Sequence, residues 1–125
     1  MTIAREHEWI LVGCGLVAHA DEIIDIGEWD GILRLLEEVF ADDASGADAW
    51  RNVLSDQAAL EERFEALEPP AAATHREILR RCWSMALVDG GDTEIEVTVY
   101  ERIARALGVD EQEATVWREA WSEAA

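Results

Sequence analysis

Lysine is absent from these 125 residues; the ten basic side chains are all arginines, set against 28 acids for a net charge of -18. A surface so short of positive charge repels nucleic acid and anionic membrane, and it attracts cations or the basic face of a protein. Self-repulsion also works against the compact state, so salt or a bound cation should help folding. Cysteine is nearly absent too: Cys14 and Cys82 are too few for a small secreted disulfide scaffold. No apolar run is long enough to cross a bilayer, "WILVGCGLVAHA" being the longest, so no membrane insertion is expected. The opening "MTIAREHEW" has mixed charges and lacks the plan of a signal peptide. A soluble, cytoplasmic chain is the expectation. Neither a Gly-x-Ser-x-Gly elbow nor a phosphate-cradling glycine loop occurs, and both cysteines fall inside apolar helical stretches. Those absences argue against an enzyme.

Half of the residues are hydrophobic, enough for a real core in a single domain spanning residues 1–125. The two prolines are adjacent, Pro69-Pro70, and the apolar periodicity is helical throughout. The pattern predicts an all-α fold of about seven helices. The first, Ala4 to Ala20, is apolar on most sides and belongs at the centre. A second runs to about Phe40 with Ile32, Leu35, Leu36 and Val39 on one face, and "ADDASGAD" breaks the chain after it. Short helices follow at Ala49–Leu54 and Gln57–Leu67, the latter ended by the proline pair. Then come Thr74 to Val88, Glu94 to Leu107 closed by Gly108, and a last helix from Glu111 carrying Trp117 and Trp121 on one face. Asp25…Glu28, Thr93…Glu96 and Asp110…Glu113 each have capping-box spacing.

Laid on itself with a shift of 68, the chain matches at Ala4/Ala72, His7/His75, Ile10/Ile78, Leu11/Leu79, Cys14/Cys82, Ala18/Ala86, Asp21/Asp89, Glu28/Glu96 and Arg34/Arg102. About three identities would arise by chance. Residues 4–40 and 72–108 therefore read as two related helix–acidic turn–helix units, expected to pack about a pseudo-two-fold axis. Gly13 and Gly15 would allow the two apolar helices to approach, with Trp83, the counterpart of Gly15, filling the space opposite.

The run "ALVDGGDTEIEVTVYERIARALGVDEQE", residues 86–113, resembles the tellurite-resistance TerB-like family, and "VAHADEIIDIGEWDGILRLL" has the same Asp-to-Glu spacing. Glu22 stands where that family usually has glycine. The resemblance implies an all-helical duplicated fold and a role in stress response or defence. It also implies a metal-binding or interaction surface built from Asp21, Glu28, Asp89 and Glu96.

Beside that resemblance stands the local chemistry. Asp89-Gly90-Gly91 is turn chemistry, and Thr93 with Glu96 is a helix cap, which together explain much of "VDGGDTEIE" without a ligand. Arg34 and Arg102 could neutralise the nearby acids as buried ion pairs. The functional reading rests on density: residues 21–43 hold nine acids against one arginine. Glu22, Asp25, Asp92 and Glu94 would support the four principal acids. Such carboxylates suit hard cations, Ca2+ or Mg2+, although the spacing from Asp89 is not that of an EF-hand. His7 with Cys14 and His75 with Cys82 lie seven apart, too far along a helix to share one zinc ion. Arg76, Arg80 and Arg81 are expected to pair with Glu61, Glu62, Glu65 or Glu68, and Trp50 to stand exposed as a partner anchor. The expectation is a non-enzymatic acidic binding module for a divalent cation or a basic protein. The alternative is an acidic immunity protein or nucleic-acid mimic that blocks a basic toxin or nuclease.

Overall fold

Ten successive residues of the first helix, Trp9 to Ala18, are buried, because nothing charged interrupts them. A helix apolar all round belongs in a protein interior, and α1 (Arg5–Ala18) is the axis around which the others pack. The computed structural model describes residues 3–20, 26–88 and 93–124. Among these, α1 is followed by α2 (Ile26–Val39), α3 (Ala44–Leu54), α4 (Gln57–Ala66), a 3-10 turn (Ala72–Thr74), α5 (His75–Leu87), α6 (Glu94–Leu107) and α7 (Glu111–Ala124), with no strand. The all-α, seven-helix expectation holds.

Each start has a local cause. Asp56 accepts from the amides of Ala58 and Ala59 at the head of α4, and Asp110 from those of Gln112 and Glu113 at the head of α7. Thr93 and Glu96 form a reciprocal capping box on α6. Asp25 lies outside the described residues. Gly108, at φ 80°, ends α6: its amide donates to Arg105 and that of Val109 to Ala104, a closure that needs a left-handed residue. One start differs from expectation. Helix α3 begins at Ala44 rather than Ala49, because Asp43 accepts from the Gly46 amide at 2.9 Å and turns the supposed break into a cap.

Helices α1 and α5 make the most extensive contact in the fold, so the two apolar helices lie together at its centre. A Cβ on Gly13 would run into Cys82 Sγ, so glycine there sets how closely they approach. Gly15 does something else: its face meets Leu54 and Leu60, of α3 and α4, at 2.9–3.0 Å from where a Cβ would sit. Trp83 is therefore not opposite Gly15. It packs edge-to-face on Tyr100, ring centroids 5.4 Å apart, and donates from Nε1 to Ser122 of α7.

The internal sequence match extends further than a fixed shift shows. Dropping one residue brings α3 onto α7 with Asp43/Asp110, Ala47/Ala114, Trp50/Trp117, Arg51/Arg118 and Ser55/Ser122 in register. Both aspartates are observed helix caps. Each unit thus has three helices, α1–α3 and α5–α7, and α4 joins them without a counterpart.

Candidate functional site

Three of the eight acids expected to line a site lie among the described residues. Asp21, Glu22, Asp25, Asp89 and Asp92 lie outside them. Glu94 is exposed at the head of α6. Glu28 and Glu96 occupy equivalent places in the first turns of α2 and α6, and both are buried, 1% and 3% exposed. Glu96 Oε1 accepts from the Thr93 hydroxyl at 3.0 Å and from its amide at 3.5 Å, while the Glu96 amide donates to Thr93 Oγ1 at 3.2 Å. One carboxylate of the expected set is thereby committed to holding its helix start. Among the described residues no three His, Cys, Asp or Glu side chains converge as a metal site.

Apolar side chains border the two acidic turns: Ile26 is 90% exposed, Val88 48% and Ile95 52%. No periodic pattern flags them, because each sits just where a helix begins or ends.

The arginines pair differently from expectation. Arg102 reaches Glu61 on α4, at 2.9 and 2.5 Å, a partner outside its own unit; Asp89, one of the acids expected for it, lies outside the described residues. Arg34 stays outside and pairs with Asp30 one turn back, at 3.0 Å. Arg81 crosses to Glu38 on α2, Arg80 pairs with Glu77 on its own helix, and Arg76 lies over the Trp117 ring. Glu61 and Glu68, expected to serve that arginine cluster, are taken by Arg102 and Arg5. Hydrogen bonds from Arg81, Arg102 and Arg80 hold the carboxyls of Glu38, Glu61 and Glu77 below the usual range.

Trp50 is not exposed. It is 7% accessible because α4 folds back over α3 and lays the Arg63 guanidinium on its ring at 4.8 Å. Trp29 on α2 is partly exposed, as are Trp117 and Trp121 on α7, which stand 6.2 Å apart beside Val116, 64% exposed. The four-residue spacing of the α7 pair with a neighbouring valine was the available signal.

His19 Nε2 meets the Leu54 carbonyl at 2.8 Å, a satisfied structural histidine. Cys14 and Cys82 are free thiols, 2% and 0% exposed. The Cys14 thiol donates to the Arg81 carbonyl at 3.5 Å, and the neighbouring Cys14 thiol and burial together push the Cys82 thiol well up. Among the described residues no helix is long and apolar enough to cross a membrane. Comparison with protein-family models, with curated proteins and with solved structures finds no match for this chain.

Proposed function

We propose that this is a TerB-like, non-enzymatic binding module of a cytoplasmic stress-response or defence system, with its two acidic turns as the binding elements. The observation that supports it most is the pair Glu28 and Glu96, buried at the same place in two repeated units. A duplicated acid that serves only solubility has no reason to face inward. In this reading Asp21 and Asp89 carry the ligand contacts, with Glu22, Asp25, Asp92 and Glu94 around them. The buried glutamates hold the turns in shape, as Glu96 does through Thr93. A hard divalent cation, Ca2+ or Mg2+, would draw its oxygen ligands from those aspartates.

Thermal melts at fixed ionic strength test the cation. A ligand at a hundred times its Kd adds about 2.7 kcal/mol, so Ca2+ or Mg2+ should raise the melting temperature of the parent and not of Asp21→Asn/Asp89→Asn. An equal response of both proteins removes the cation site.

A second reading is favoured by the charge. Among the described residues, seven of the ten arginines are already paired with acids of the same chain, so what faces outward is strongly negative. Such a surface suits the basic site of a toxin or nuclease. It predicts a tight complex that weakens steeply with salt; no complex at low salt with basic nucleases ends this reading.

A further inference from the structure

Helix α7 turns its apolar side outward. Val116 is 64% exposed, Ala120 and Ala124 are exposed with it, and Trp117 and Trp121 are only partly covered. At helical spacing these five residues make one stripe over about 12 Å of axis. The polar residues point the other way: Arg118 lies over the Trp83 ring at 5.5 Å with its Nε buried, and Ser122 accepts the Trp83 indole N–H. A surface helix ordinarily does the reverse.

The first unit shows such a stripe covered. Trp50 and Leu54 of α3 match Trp117 and Trp121 in sequence. Both are buried, and the cover is α4: Arg63 lies on the Trp50 ring at 4.8 Å and reaches Glu8 at 3.7 Å, while Leu60 meets Leu54 over Gly15. Helix α7 packs on α5 and α6, and among the described residues no helix takes the place of α4 over its two tryptophans. Trp83 fills the side that carries Arg118 and Ser122 and leaves the outer stripe bare.

Charge selects what can lie there. Glu119 and Glu123, both exposed, run along the Val116 edge of the stripe. At the other edge Arg76, which stands where the first unit has Glu8, lies 6.0 Å from the centre of the Trp117 ring and makes no ion pair among the described residues. A second copy of this chain fits badly, because a two-fold pair of helices sets each edge against itself and would bring Glu119 and Glu123 onto their own copies.

We propose that the outer face of α7 is a docking surface for an amphipathic helix of another protein. Its apolar stripe is edged by Lys or Arg where it meets Glu119 and Glu123, and by a carboxylate where it meets Arg76. Such a helix sits on the second unit as α4 sits on the first. The two tryptophans are its rigid anchors, and the opposite signs of the two edges fix its direction. The surface is separate from the acidic turns and does not depend on what they bind.

The probe is a synthetic peptide of about five helical turns, with a leucine stripe, lysines along one edge, as many glutamates along the other, and a fluorophore for anisotropy. Its charges balance, so generic attraction to an acidic chain is small. The parent should bind it about tenfold more tightly than a scrambled peptide of the same composition. Val116→Gln/Ala120→Gln, at exposed positions, should lower the affinity about tenfold. Glu119→Gln/Glu123→Gln should lower it about threefold and flatten its salt dependence. Glu37→Gln/Asp42→Asn, the same change of charge at exposed positions elsewhere, should alter it by less than about twofold. Four results would overturn the proposal: a peptide that binds no better than its scrambled form, an affinity unchanged by Val116→Gln/Ala120→Gln, equal weakening by the two acid-to-amide pairs, or a parent that sediments as a dimer and becomes monomeric in Val116→Gln/Ala120→Gln. The last would make the cover a second copy.

Discussion

The two three-helix units differ most where they should be alike, in how the third helix meets the first. In the second unit α7 packs broadly on α5, and Trp83 fills the space between them, held by Tyr100 and Ser122. In the first unit α3 barely touches α1, because α4 lies on α1 instead and sends Leu60 against Gly15. One large side chain in one half thus does the work of an inserted helix in the other. A glycine at 15 is what lets the inserted helix come close, and a tryptophan at the matching 83 is what makes a second insertion unnecessary. Duplicated halves can diverge this way because a core must be filled to the same density whichever element supplies the atoms.

If that exchange is right, the two fillers should cost similar amounts to remove. Trp83→Ala loses a fully buried ring, its stack on Tyr100 and its bond to Ser122, and should lower unfolding free energy by about 3–5 kcal/mol. Leu60→Ala, likewise fully buried, should cost about 2–5 kcal/mol. Urea melts of the two variants make the comparison, and a loss under about 1 kcal/mol at Leu60 would show that α4 does not carry this role.

The two glycines of α1 sharpen the contrast next. Gly13→Ala places a methyl on Cys82 Sγ at the tightest contact of the two central helices, and overpacking there should cost about 1–3 kcal/mol. Adding Cys82→Ala should recover part of that loss, a coupling that a double-mutant cycle reads directly. Gly15→Ala meets the methyl ends of Leu54 and Leu60, both fully buried, so overpacking should cost about 1–3 kcal/mol, offset by the roughly 1 kcal/mol by which alanine favours helix over glycine. Its net cost should fall below that of Gly13→Ala.

Much of this architecture is legible without coordinates, and the parts that are not share a cause. Helices α2, α5 and α6 fall where their apolar stripes put them, since a periodic face and a cap are local signals. The start of α3 was hidden because Asp43 caps a polar, glycine-containing first turn that looks like a break. The α3–α7 match was hidden by one missing residue between the units. At the candidate site the acids are plain to see, yet nothing local says that Glu28 and Glu96 point inward, because a first-turn acid can face either way. Trp50 looked exposed in its polar segment, and only the return of α4 buries it. The arginine pairings failed for the same reason: which acid an arginine meets depends on which helices cross.

Arg34 and Arg102 give the finest version of the comparison, since they are equivalent residues with different fates. Arg34 makes an exposed pair with Asp30 on its own helix, so Arg34→Ala should change stability by less than about 0.5 kcal/mol. Arg102 pairs with Glu61 and also lies over the Phe64 ring at 4.6 Å, so Arg102→Ala should cost about 1–2 kcal/mol despite its partial exposure. The pH dependence separates the two contributions. Arg102 holds the Glu61 carboxyl below its ordinary range when folded, so the charge contribution is fully present above the unfolded value and fades as pH falls through the folded one. The gap between parent and Arg102→Ala should therefore narrow below roughly pH 4.3, the ordinary glutamate value. It should not close, because the contact with Phe64 does not titrate. A gap that is flat from neutral to acid pH would mean that Arg102 acts through packing alone, and one that vanishes would mean that the ring contributes nothing.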